Sequence, residues 1–224
     1  MAFAGAKMQA LQLGSFERPS KPRYEAYMTG SAAMRRIRIV FLAVLLGFCA
    51  AADIAGADEA EAWAALRAGR HVALMRHTDA PGGAGDPAGF RLDDCATQRN
   101  LSAKGRADAL RIGARLRSEG IAVERLLSSP WCRCMDTATL LALGPVETSS
   151  TFGNVVVLSD QRESLTAGAR AVIDKWTGSG ILVVVTHGAN ILALTGISPA
   201  SGEIVVVRSG SGGGSKPVGR LVLD

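Results

Sequence analysis

Aromatic residues make up only 5% of this 224-residue chain, histidine occurs three times and cysteine four times, and no apolar run is long enough to span a membrane comfortably. Each scarcity removes a class of function. Few aromatics and no basic stripe exclude a groove that stacks nucleic-acid bases, so no nucleic-acid partner is expected. The cysteines fall as one Cys-x-Cys and two distant residues, without the paired C-x-x-C or histidine spacing of a zinc site. The formal net charge of +5 does not describe a basic folded surface, because residues 1–57 hold seven Lys/Arg against three Asp/Glu and leave 18 basic against 17 acidic residues in the remainder. A chain of this length supports one domain with a sizeable core, and no internal repeat is present.

The apolar stretch over residues 39–52 follows Arg35, Arg36 and Arg38 and precedes Ala55-Gly56-Ala57. A basic start, a short apolar stretch and a small-residue cleavage site read as a signal peptide over residues 34–57 rather than a permanent anchor. A lipid anchor through Cys49 is disfavoured by the bulky Phe48 before it. Residues 1–33 have neither helix nor strand periodicity and read as a non-native extension ahead of a start at Met34 or Met28, which leaves residues 58–224 as the folded domain. The expected location is periplasmic or secreted, with no stable membrane anchor after cleavage. In that oxidising compartment a disulfide between Cys95 and either Cys132 or Cys134 is expected, with one thiol left over.

From Asp58 onward, strand and helix patterns alternate. "EAEAWAALRAGR" reads as a helix ending at Gly69 and "HVALMRH" as a short buried strand; residues 78–100 form a long loop rich in Gly, Pro and Asp. A helix follows from the Ser102 cap to Gly120, with Leu110, Ile112 and Leu116 as its apolar positions. "IAVERLLSSP" is then a strand, "WCRCMDTATLLALG" a helix, "PVETSS" a brief strand and "ESLTAGARAVIDKW" a helix. The continuous run in "GILVVVTHGAN" marks a strand covered on both faces, a helix "ILALTG" follows, and two strands around a Gly/Ser loop end the chain. This order predicts an α/β fold, a three-layer α/β/α sandwich with a mostly parallel sheet and a C-terminal β-hairpin.

In such sheets ligands bind beyond the carboxyl ends of the strands. Three strands here end in "ALMRH", "LLSSPWCR" and "VVVTHG", which brings Arg76, His77, Arg133 and His187 to one edge. His71 sits at a strand start and reads as structural. Two arginines and two histidines without a carboxylate run suit a doubly charged tetrahedral anion, so a phosphoryl group is the expected ligand. The start of the helix after Arg133 would favour the same anion.

"LMRHT", "NLSAKGRADA", "SSPWCRCMDTA" and "VVVTHG" resemble, in order and spacing, the phosphoglycerate mutase-like histidine phosphatase superfamily (branch 1) over about residues 70–208, most closely its small exported members. The resemblance implies a phosphatase that hydrolyses a phosphomonoester through a phosphohistidine on His77, with Arg76, Arg133 and His187 clamping the phosphoryl oxygens. It implies no metal and no organic cofactor. Its partner would be a small phosphorylated substrate, with an envelope sugar phosphate among the candidates. Thr78 departs from the glycine that many members carry. The acid that protonates the leaving oxygen is unassigned between Asp160 and Glu163, which fit equally well as solvated helix-start residues. Gln98, Arg99 and Asn100 either line the pocket or only fasten the loop. His187 and His77 are expected to titrate differently and to place the pH optimum on the acidic side of neutral. A phosphomutase on the same site and a non-catalytic phospholigand-binding protein are the alternatives, although little chain between Gly144 and Gly178 is available to build a mutase cap.

Overall fold

The middle of the domain is built from short strands whose residues are buried on both sides, since helices cover both faces of the sheet they form. The computed structural model describes residues 58–83, 85–210 and 215–223; the expected extension over 1–33 and signal peptide over 34–57 lie outside the described residues. A helix over 58–68 (α1) leads into β1 (His71–Arg76). A long loop with a 3₁₀ turn at Cys95–Thr97 follows, and then α2 (Ala103–Ser118), β2 (Val123–Ser128), α3 (Cys132–Leu141) and β3 (Val146–Thr148). The 3₁₀ turns Ser150–Phe152 and Ser159–Gln161 lead to α4 (Arg162–Asp174), β4 (Ile181–Thr186), α5 (Gly188–Thr195), β5 (Ile204–Arg208) and β6 (Pro217–Leu221).

The strands pair in the order β3-β2-β4-β1-β5-β6. β3, β2, β4 and β1 run parallel, β5 is antiparallel to β1, and β6 is antiparallel to β5. Successive side chains alternate between two cores. Ala73 and Met75 pack with Leu66 of α1, Ile112 and Leu116 of α2 and Leu141 of α3, while Val72 and Leu74 pack with Ile173 of α4 and Ile191 of α5. The expected three-layer sandwich with its C-terminal β-hairpin is the architecture found.

Helix α2 starts where expected, with Ser102 Oγ accepting the Gly105 N–H at 2.9 Å. Its buried stripe differs from the expected one: Ile112 and Leu116 are buried with Gly105, Ala109 and Gly113, whereas Leu110 faces out at 52% exposed. Helix geometry gives the reason: Leu110 stands two residues from Ile112 and six from Leu116, on the opposite face at 3.6 residues per turn, while the buried face carries Gly105 and Gly113, where backbone approaches closely. A Cβ at Gly113 would run into the Leu141 carbonyl oxygen at the end of α3, and one at Gly105 would run into the Asp79 carbonyl oxygen. The second contact holds the chain just after His77 against the first turn of α2.

Candidate active site

β2, β4 and β1 are adjacent and parallel, so their carboxyl ends open on one edge. The ladder continues one step past each strand: the His77 N–H donates to Thr186 O at 2.9 Å and the Ser129 N–H to Val185 O at 2.9 Å. That register brings the His77 and His187 rings edge to face at 5.5 Å between centroids. Arg76, His77, Arg133 and His187 all line one cavity of about 670 Å³, together with Asp79 and Arg99. His71 stays at the opposite end of β1, its Nδ1 2.7 Å from Gly69 O, in the structural role expected.

His77 is buried, and its Nδ1 lies 2.8 Å from the Thr78 carbonyl oxygen. Nδ1 therefore carries the proton and donates, which leaves the lone pair on Nε2. Burial pushes the imidazole down to about 3; the Arg133, Arg76 and Arg99 guanidiniums act in the same direction, and the bond to Thr78 only partly opposes them. His187 is also held well below the ordinary histidine range, first by burial and then by His77 and the same arginines. The expectation that the two histidines titrate differently thus meets a site in which desolvation and three cations keep both neutral. Ser129 Oγ stands 2.9 Å from His187 Nε2, and the Trp131 ring lies edge to face with the imidazole at 5.3 Å, so the ring is fixed from two sides.

The three guanidiniums are each fastened by a terminal nitrogen. Arg76 Nη1 donates to Pro199 O at 2.9 Å, Arg99 Nη1 donates to Gly83 O, and Arg133 Nη1 and Nη2 donate to the Asp86 carboxylate at 2.6 and 3.2 Å. In all three the Nε–H is buried and has no hydrogen-bond partner among the described residues. Buried donors are normally paired, so these three N–H groups, on residues that line one cavity, leave donor capacity and positive charge that the described residues do not satisfy. The glycine after His187 has a steric reason here: a Cβ at Gly188 would stand 3.3 Å from Arg76 Cδ and 3.4 Å from its Nε.

Other sequence expectations divide. Asp160 and Glu163 are exposed and line a separate surface cleft with Arg162, Thr166 and Arg170, so neither reaches the histidines. The carboxyl on the cavity wall is Asp79, whose Oδ2 accepts the Ser102 hydroxyl at 2.6 Å. Of the loop residues, Arg99 lines the pocket, whereas Gln98 and Asn100 fasten the chain. Gln98 Oε1 accepts the Cys132 N–H at 3.0 Å, so the first N–H of α3 is already bonded within the protein. Thr78 is fully buried; its N–H and Oγ1 lie 3.3 and 3.2 Å from Thr137 Oγ1 on α3, which accounts for a side chain where glycine is usual. The disulfide joins Cys95 to Cys132, directly beside Arg133. Cys134 is the remaining buried thiol, pushed up to about 12 by burial and therefore unreactive. Asp86 was not singled out by any sequence signal, since it stands in a loop without periodicity.

Residues 72–155 match the family model of the histidine phosphatase superfamily (branch 1). The matched segment is similar to that superfamily. It holds the first strand end and its long loop, α2, and the Arg133 turn, and so contains three of the four motifs of the histidine phosphatase pattern. Among solved structures, the protein histidine phosphatase SixA complexed with tungstate is 21% identical, the match covering 67% of this chain and 96% of that one at a TM-score of 0.47. A mycobacterial glucosyl-3-phosphoglycerate phosphatase is 17% identical over 62% of this chain and 89% of that one, at a TM-score of 0.46. No curated protein sequence matches the chain.

Proposed function

We propose that the protein is a phosphomonoesterase that works through a phosphohistidine on His77. One arrangement carries this reading: a neutral His77 whose Nε2 keeps its lone pair shares a cavity with three arginines whose Nε–H donors are unpaired. His77 Nε2 attacks phosphorus, and the ester P–O bond breaks with its electron pair leaving on oxygen. Arg76, Arg99, Arg133 and His187 hold the phosphoryl oxygens and stabilise charge as it moves. Asp86 already accepts four N–H bonds, so Asp79 is the carboxyl assigned to protonate the leaving oxygen. Water then attacks the phosphohistidine and gives a proton back to Asp79, releasing orthophosphate and restoring His77.

The substrate is a small phosphomonoester, with an envelope sugar phosphate among the candidates. Export is supported by the disulfide Cys95–Cys132, a bond that persists in oxidising compartments. Because arginine and histidine meet the phosphoryl charge, EDTA is expected to leave turnover intact.

The test is intact mass at neutral pH after brief exposure to an aryl phosphate. Wild type should gain one phosphoryl group and release the phenol, and His77→Ala should do neither. Wild type without adduct or product would overturn the proposal.

A further inference from the structure

The Asp86 carboxylate is fully buried, 0% exposed, while Arg133 beside it is 1% exposed. Each of its oxygens takes two donors: Oδ1 accepts from Arg133 Nη1 at 2.6 Å and from the Arg99 N–H at 3.1 Å, and Oδ2 accepts from Arg133 Nη2 at 3.2 Å and from Trp131 Nε1 at 2.9 Å. Its acceptor capacity is therefore used within the protein, and it is not itself among the residues lining the cavity. A buried ion pair is a poor source of stability, because removing both charges from water offsets much of their attraction. What this pair does supply is orientation. By gripping the end of the Arg133 guanidinium across both terminal nitrogens, Asp86 leaves the buried Nε–H as the unpaired donor. The same carboxylate holds the backbone of Arg99, whose own Nε–H is the second unpaired donor.

We propose that Asp86 is the positioning residue of the phosphoryl site, orienting Arg133 through its side chain and Arg99 through its backbone. This rests on the phosphatase reading above only in naming the ligand as phosphoryl. Asp86 links two segments of the sequence, the loop after His77 and the start of α3, and the disulfide Cys95–Cys132 ties the same two segments together. A carboxylate that instead competed with substrate for Arg133 would have the opposite signature, since removing its charge would tighten anion binding.

The experiment measures orthophosphate binding calorimetrically, and aryl phosphate turnover in parallel, for wild type, Asp86→Asn, Asp86→Glu, Arg133→Lys and the Asp86→Asn/Arg133→Lys double variant. Asp86→Asn should weaken orthophosphate at least about tenfold and lower kcat by about a hundredfold, and Asp86→Glu, which keeps the charge, should recover part of both. In the Arg133→Lys background Asp86→Asn should add less than about twofold, because asparagine keeps an Oδ1 that can accept the Arg99 N–H and its effect therefore runs through the Arg133 guanidinium. If Asp86→Asn does not fold, Asp86→Glu carries the same test through a displaced carboxylate, with binding weakened severalfold. Unchanged or tighter orthophosphate binding in a folded Asp86 variant overturns the proposal, as does full additivity in the double variant. Wild type that binds orthophosphate but does not turn over an aryl phosphate defeats the phosphatase reading and leaves this one standing.

Discussion

Replacing His77 with asparagine is expected to make the fold more resistant to acid, although it removes the group on which the proposed chemistry depends. The imidazole titrates near 6.5 in an unfolded chain and is pushed down to about 3 here by burial. Between those values the unfolded chain binds a proton that the folded protein refuses. Stability is therefore fully present above pH 6.5 and is lost as the pH falls toward 3. Each unit costs about 1.4 kcal/mol, so at pH 4.5 His77 alone removes about 2.7 kcal/mol relative to pH 7.5. His187, depressed for the same reason, adds a parallel loss that the variant retains. The Asp86 carboxyl lies outside this window: burial would raise it, but its bonds from Arg133 and Arg99 hold it below the ordinary carboxylate value. The assay is urea unfolding at pH 7.5, 6.5, 5.5 and 4.5 with the disulfide intact, extrapolated to water. The quantity read is the wild-type-minus-variant difference at each pH. That difference should move by about 2.7 kcal/mol in favour of His77→Asn between pH 7.5 and 4.5. A difference constant to within about 0.5 kcal/mol would refute the reasoning, because it would mean that His77 ionises alike in the folded and unfolded chain.

Three further outcomes can be measured. Because His77 is unprotonated in the free site down to about pH 3, kcat/KM should not fall between pH 7.5 and 5, and a low-pH limb with an apparent pKa near 6.5 would contradict this. Reducing Cys95–Cys132, which are 37 residues apart, should lower unfolding free energy by about 3–4 kcal/mol and reduce turnover, because the released loop carries Asp86 and Arg99; urea titration with and without reductant measures it. Gly113→Ala should cost about 1–3 kcal/mol by forcing α2 away from the end of α3 while kcat is retained, whereas Gly105→Ala should lower both Tm and kcat by displacing the chain after His77.

By itself the sequence determined the order of strands and helices, the two-face burial of β4, the Ser102 cap and the gathering of Arg76, His77, Arg133 and His187 at one edge of the sheet, because each is written in local periodicity, in a cap residue or in residue types that follow a strand. Leu110 marks a misreading of that signal: it stands two residues before Ile112 and six before Leu116, which at 3.6 residues per turn carries it to the opposite face, where it is exposed, while the close approach of backbone from Asp79 and Leu141 to Gly105 and Gly113 has no periodic signature. The same limit hid Asp86, which meets Arg133 across 47 residues and has no periodic or motif signal in its own loop. It also left Cys132 and Cys134 indistinguishable as partners for Cys95, and left Asp160 and Glu163 as candidates for an acid that the fold places in another cleft. Only the tertiary structure decided these, since which carboxylate reaches an arginine, and which imidazole loses its proton, depends on what surrounds each group in space: neighbouring cations, hydrogen-bond partners and the depth of burial.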